Sequence, residues 1–145
     1  MRLFVSCFLA SLGFAIIFNI PKNKALVAGL VGGMGGLCYG LITAIGISNI
    51  SAMLITSIFF STLSEILARV LKCPSTMFSI CALIPFVPGS KIYLSMVEII
   101  NGNLNLALEY GLSTIFEASA LVIGMMITAS IFKAIKKAPT KQHDA

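Results

Sequence analysis

The sequence is poor in charged residues and rich in apolar ones. Asp, Glu, Lys and Arg together make up 10% of its 145 residues, whereas soluble domains average about 25%. Hydrophobic residues account for 58% of the chain and the mean hydropathy is +1.02. A soluble domain of this size could not bury so much apolar surface. The composition therefore predicts an integral membrane protein.

Histidine is almost absent, which argues against enzymatic and metal chemistry. The one histidine, His143, lies in the polar C-terminal tail, and the apolar segments contain no His/Glu metal spacing and no plausible nucleophile–base pair. The four cysteines lie in or beside apolar segments without a CxxC spacing, as is typical of small buried hydrophobic residues. No Walker-type lysine follows the glycines. We therefore expect no enzyme activity, no metal and no cofactor.

The long apolar segments predict an all-α membrane protein. A bilayer core of about 30 Å needs about 20 apolar residues in a helix, and five segments meet or nearly meet this length. An alternative with four spans makes the glycine-rich second segment or the broken fourth one re-entrant. The segments are roughly Leu3–Ile20, Ala25–Ile47, Ile50–Leu71, Pro74–Ile100, which is broken at Pro85–Gly89, and Ala107–Ile135.

The basic residues predict the topology. They flank apolar segments and form no stripe with aromatic residues, so the net charge of +5 gives no reason to expect a nucleic-acid partner. Connections with Lys or Arg alternate with connections that have none, which puts the N-terminus outside and the C-terminus in the cytoplasm. Residues 1–135 then form a single transmembrane domain, and residues 136–145 form a basic cytoplasmic tail.

The fourth segment is interrupted by two prolines and a glycine, Pro85, Pro88 and Gly89. Proline removes a backbone donor and clashes with the preceding turn, and glycine readily adopts left-handed backbone angles. A helix that is broken inside a membrane leaves backbone groups that must be buried in protein or line a wet cavity. The break therefore predicts a site rather than a plain membrane anchor.

Polar side chains follow the break directly. Lys91 lies in the first turn of the half-helix 90–100, whose N-terminus exposes free amides and a partial positive charge. Together with Ser90 and the hydroxyl of Tyr93, Lys91 is a candidate site for a substrate carboxylate. The alternative is a lysine whose ammonium group reaches the membrane interface.

Two acidic residues lie within apolar segments. Glu65 and Arg69 are four residues apart on one helix, in the order that favours an ion pair. This pair either neutralises itself near a membrane end or forms a gate or proton-coupling site that faces a cavity. Glu117 has no charged neighbour within a turn. It lies either at the membrane interface or in a functional position, where it would couple transport to protons.

The second segment carries a ridge of small residues. Gly32, Gly36 and Gly40 recur at four-residue spacing and therefore share one helix face. Such a ridge lets a neighbouring helix approach closely, which makes these glycines structural. The alternative is a sliding or substrate-lining surface.

Three stretches resemble motifs of the threonine/serine exporter family. They are Phe18-Asn19-Ile20-Pro21, the run from Ser64 to Pro74, and the run from Ile84 to Tyr93 with the pattern P-x-x-P-G-x-x-x-Y. The similarity covers nearly the whole chain apart from the tail and matches the short, C-terminal-type half of the family. Asn19 thereby joins the residues of the break as a candidate substrate contact, and Pro21 is a structural position. The matching positions are Asn19, Pro21, Pro85, Pro88, Gly89 and Tyr93.

The resemblance implies a subunit of a secondary exporter of small metabolites in the bacterial inner membrane. Threonine and serine are the named substrates of the family, and a split two-chain relative is associated with the export of succinate. A larger membrane subunit that resembles the N-terminal half of the family is the implied partner. The alternative is a non-transporting scaffold subunit of a larger membrane complex, and homo-oligomerisation stays open.

Overall fold

The computed structural model describes residues 2–137, and within this range every regular element is a helix. The fold class predicted from the sequence is confirmed. Four of the predicted segments form helices that are long and apolar enough to cross a membrane, and the first forms a shorter apolar helix of 16 residues. The elements are α1 (Arg2–Ile17), α2 (Lys22–Ala44), α3 (Asn49–Val70), α4 (Thr76–Leu83), a 3₁₀ turn (Ile84–Phe86), α5 (Gly89–Ile100) and α6 (Leu104–Lys137).

Consecutive segments run in opposite directions because their connections are short, with α4 and α5 counted as one broken segment. Lys72 and Lys133 therefore share one end of the bundle, and the α1–α2 connection lies against the start of α4 at the same end. We call this the basic end. The predicted transmembrane domain of residues 1–135 lies almost wholly within the described part. The predicted tail begins inside α6, which continues to Lys137, and residues 138–145, with His143, lie outside the described residues.

Two of the connections at the basic end use the same helix stop. Asn19 and Lys72 both have positive φ, at 55° and 49°. The next amide in each case bonds five residues back, from Ile20 to the Ala15 carbonyl and from Cys73 to the Ala68 carbonyl. This is the Schellman arrangement, and the proline that follows each time prevents the helix from continuing. Asn19 thus terminates α1.

The glycine ridge of α2 packs against α1. Gly32 faces the side chain of Ser11, and a Cβ at Gly36 would lie 2.8 Å from the carbonyl oxygen of Leu3. Gly40 faces the side chain of Leu3. Because these glycines have no side chains, the backbones of α1 and α2 approach closely between Leu3 and Ser11.

An aromatic stack attaches the helix break to the body of the protein. The ring of Phe86, in the 3₁₀ turn, stacks on Phe60 of α3 with 5.7 Å between centroids. It also meets Tyr39 of α2 edge-on at 6.2 Å. Phe60 is fully buried and Phe86 nearly so, so the start of α5 is fixed relative to α2 and α3.

α5 and the first half of α6 form an arm beside this body. α5 has no buried residue, and α6 is its main neighbour. α6 has 34 residues, or about 51 Å at 1.5 Å per residue, and its second half packs against α3. Leu3 and Asn49, at the starts of α1 and α3, lie beside the break. The break is therefore level with the end of the body opposite the basic end, and the arm extends beyond it.

Candidate functional site

The chain leaves helical geometry at Val87 and Pro88 and re-enters it at Gly89. Pro88 has φ −74° and ψ 54°, and the Gly89 amide bonds back to the Val87 carbonyl at 2.7 Å. Among the described residues, the amides of Ser90 and Lys91 have no backbone acceptor. The break thus leaves free donors, as the prolines predict.

Gly89 is not required by the backbone conformation at its position. Its φ lies outside the left-handed region, and a Cβ would meet no atom within 4 Å. The left-handed glycines are Gly46 and Gly102, in the two connections at the end opposite the basic end. The break is therefore produced by its prolines.

Lys91 and Glu117 form an ion pair across the α5–α6 hairpin. The Lys91 Nζ lies 2.6 Å from Glu117 Oε1 and donates a second hydrogen bond of 2.6 Å to Ser113 Oγ. The Glu117 side chain is only 3% exposed and that of Lys91 is 26% exposed. Glu117 is therefore a buried carboxylate whose cation comes from the neighbouring helix α5.

The pair lines a cavity of about 210 Å³ at the break. Pro85, Pro88 and Ser90 contribute to its wall from the broken segment, and Tyr39 and Asn49 contribute from α2 and α3. Three of the predicted binding residues thus meet Lys91 in one place.

Tyr93 and Gly89 do not line this cavity. Tyr93 is 67% exposed on α5, two residues beyond Lys91 and on another face of the helix. Gly89 is exposed at the first position of that helix.

The cavity offers groups of both charges. Lys91 has three N–H donors and uses two of them on Glu117 and Ser113, so one remains for a ligand. Glu117 has a second carboxylate oxygen that makes no hydrogen bond among the described residues. The free amides at the start of α5 add donors beside the lysine. An anionic group and a cationic group can therefore bind side by side.

Glu65 and Arg69 are not paired with each other, which corrects the interpretation of a self-neutralising pair. Glu65 Oε1 accepts a hydrogen bond of 2.7 Å from Ser75 Oγ at the start of α4. Arg69 donates to the carbonyl of Phe132 on α6 at 3.3 Å and lies over the Phe132 ring at 4.7 Å. Both residues line an open basin of about 820 Å³ at the basic end, with Lys72 and Lys133.

Asn19 lies far from the ion pair. It borders a small cavity with Thr76 and Met77 at the basic end, whereas the Lys91 cavity touches Leu3 at the opposite end of α1. The 16 residues between them correspond to about 24 Å of helix. Pro21 follows at the exposed start of α2. The structure thus gives Asn19 and Pro21 a place in a helix connection.

Sequence reasoning missed Ser113 and the pairing of Lys91 with Glu117. A usable signal was present, because α5 and α6 form a hairpin that turns at Gly102. Lys91 lies 11 residues before this turn and Ser113 lies 11 residues after it, so the two are opposite each other. Glu117 is one helical turn further along the same face of α6, within reach of the lysine.

Comparison with known proteins agrees with this architecture. No solved structure matches the chain. The family model described as Threonine/Serine exporter, ThrE, matches residues 3–131, which include all the residues that line the cavity. The chain therefore belongs to the threonine/serine exporter (ThrE) family and is a multi-pass membrane protein of the exporter type.

Proposed function

We propose that this chain is one subunit of a secondary exporter that moves small carboxylate-bearing metabolites out of a bacterial cell across its inner membrane. Family membership supports an exporter-type transporter. The alternation of basic and non-basic connections supports a cytoplasmic C-terminus and an external N-terminus. The resemblance of the chain to the C-terminal-type half of the family supports a larger membrane subunit, similar to the N-terminal half, as the partner.

The observation that carries the proposal is the Lys91–Glu117 pair at the helix break. Lys91 and the free amides of α5 suit the carboxylate of a substrate, and the second oxygen of Glu117 suits an ammonium group. A zwitterionic amino acid such as threonine or serine matches both charges. The second carboxylate of succinate would instead face Glu117 and be repelled. The site therefore favours amino acids over dicarboxylates.

Proton coupling is a further part of the proposal. Glu117 is almost fully buried against Lys91, and buried carboxylates in membrane segments commonly belong to ion or proton pathways. A substrate that separates Lys91 from Glu117 removes the cation beside the Glu117 carboxylate. Substrate binding is thereby linked to the protonation of Glu117. Glu65 is the second candidate for this role.

The test is export of L-threonine, L-serine and succinate from cells that express the chain with its larger partner. We expect Lys91→Met and Glu117→Gln to lower amino-acid export by about tenfold or more, because hydrogen bonds to charged groups contribute about 1.5–3 kcal/mol. Glu109→Gln replaces an exposed carboxylate on α6 and serves as the control for expression and topology. Export unchanged by both site variants, at equal membrane abundance, would falsify the assignment.

The scaffold alternative is favoured by one observation, the exposed apolar surface of the arm. α5 exposes several large apolar side chains, including Met96, Ile99 and Ile100, which a larger subunit could cover. A scaffold would still co-purify with its partner when Lys91 or Glu117 is replaced, and transport by the complex would not change. Loss of transport with retained co-purification supports the exporter instead.

A further inference from the structure

Three cations and one carboxylate line the open basin at the basic end. Arg69 and Lys72 come from the end of α3 and its connection to α4, and Lys133 comes from α6. The carboxylate is that of Glu65, whose Oε1 accepts the hydrogen bond of Ser75. No salt bridge joins Glu65 to any of the three cations among the side chains that the structure describes. Three positive charges and one negative charge leave the walls with a net charge of +2.

The guanidinium group of Arg69 is held in place while most of its donors stay available. It lies over the Phe132 ring at 4.7 Å and donates a hydrogen bond of 3.3 Å to the Phe132 carbonyl. A guanidinium has five N–H donors in a planar fork, and Arg69 makes no other side-chain hydrogen bond within the described part of the chain. A fork that is already oriented suits the paired oxygens of a phosphate group.

The basin lies where two membrane-spanning helices end. α3 is long and apolar enough to cross a membrane, and Arg69 lies in its last turn. Lys133 lies two residues before the end of the apolar span of α6. Basic residues at the ends of such spans lie at the level of the lipid headgroups. The basin therefore opens at the membrane interface.

Exposed apolar side chains continue from the basin towards the middle of the membrane. Ile66 is one helical turn before Val70 on α3, and Ile131 is one turn before Ile135 on α6. All four are exposed, and Ile135 also lines the basin. Both helices run towards the basic end, so Ile66 and Ile131 lie deeper in the membrane than the cations. A ligand whose charged group enters the basin can therefore extend hydrocarbon chains along α3 and α6.

We propose that the basin binds the headgroup of an anionic phospholipid. The phosphodiester lies among Arg69, Lys72 and Lys133, and the acyl chains lie along α3 and α6. Basic pockets between membrane helices are suited to such headgroups, and the net positive charge of the walls favours an anionic headgroup over a zwitterionic one. The bound phosphate links the end of α3 to α6. The inference is independent of the proposed function, because it involves neither the Lys91 cavity nor a transported substrate.

The test is lipid binding by the purified full chain in detergent, measured by native mass spectrometry. Phosphatidylglycerol supplies the anionic headgroup. Phosphatidylcholine and phosphatidylethanolamine with the same acyl chains supply zwitterionic headgroups. We expect the first phosphatidylglycerol to bind about fivefold or more tightly than either of them, because one cation near the membrane surface strengthens the binding of an anionic lipid by about that factor.

Replacing the cations should weaken the binding of phosphatidylglycerol. We expect about a fivefold loss for Lys72→Gln or Lys133→Gln, and about tenfold for Arg69→Gln, which also removes the fork. Lys72 and Lys133 are exposed, so their replacement tests the site without disturbing the packing of the helices. Lys22→Gln is the matched control, because Lys22 is exposed at the same end but does not line the basin. Glu65→Gln should strengthen the binding, because it removes a like charge.

Several results would overturn the lipid site. These are equal binding of the three lipids, or phosphatidylglycerol binding that Lys133→Gln and Arg69→Gln both leave unchanged. Phosphatidylethanolamine that binds more tightly than phosphatidylglycerol, and loses affinity in Glu65→Gln, would assign the basin to a zwitterionic headgroup instead. Displacement of phosphatidylglycerol by millimolar inorganic phosphate, but not by chloride at the same ionic strength, would assign the basin to soluble phosphate.

Discussion

The ion pair of Lys91 and Glu117 permits a quantitative prediction about stability. At the observed 2.6 Å separation, Coulomb's law with an effective dielectric constant of about 20 gives an attraction of about 6 kcal/mol. The loss of solvation on burial offsets much of this attraction. Replacing one partner leaves the other charge buried without a counter-ion. The free energy of unfolding then falls by the cost of that unpaired buried charge.

The two single substitutions should differ in their effect on the free energy of unfolding. Lys91→Met leaves the carboxylate of Glu117, 3% exposed, without a cation, and we expect it to cost about 3–5 kcal/mol. Glu117→Gln should cost less, about 1–3 kcal/mol, because Lys91 is 26% exposed and the amide oxygen still accepts its hydrogen bond. The double variant should cost no more than Lys91→Met alone, which gives a coupling energy of about 2 kcal/mol.

The assay is unfolding of the purified full chain by SDS in mixed micelles, followed by circular dichroism. Glu98→Gln is the matched control on α5, where the carboxylate meets only Asn103 near the surface, and it should shift the free energy of unfolding by about 0.5 kcal/mol or less. Single effects that add to the double effect within about 0.5 kcal/mol would refute the coupling. The two residues would then not act as a buried pair.

The glycines give two further predictions in the same unfolding assay. Gly124→Ala should cost about 1–3 kcal/mol, because its methyl group would collide with the Ser57 side chain and separate α3 from α6. Gly111→Ala on the same helix is the control, and equal costs for both would contradict the packing argument. Gly102→Ala should cost about 1–2 kcal/mol because of its positive φ. Gly89→Ala should be neutral, and a comparable loss there would show that the break needs glycine.

The helices and the break were predictable because their causes are local. Apolar runs of sufficient length form helices in a membrane whatever packs beside them, and the prolines at 85 and 88 interrupt a helix through their own rings. Gly89 does not adopt left-handed angles, since a proline-driven break does not need them. The sequence analysis made Asn19 a candidate contact from a motif match. Such a match does not reveal that the residue has a positive φ and ends a helix.

The partners of the charged side chains were not predictable from their own segments. Glu117 has no cation within a helical turn, yet Lys91 reaches it from the neighbouring helix. Glu65 and Arg69 share a helix face, but they bind Ser75 and Phe132 on other helices. Spacing along one helix indicates which contacts are possible, whereas packing between helices decides which of them form.

The sequence by itself thus determined the membrane class, the apolar segments and the place where the fourth is broken, since hydropathy and proline act within a few residues. Only the tertiary structure decided that the break meets a buried ion pair and that Glu65 and Arg69 bind partners on other elements rather than each other. Each of those features joins side chains from different helices, and packing between the helices decides which of these contacts form.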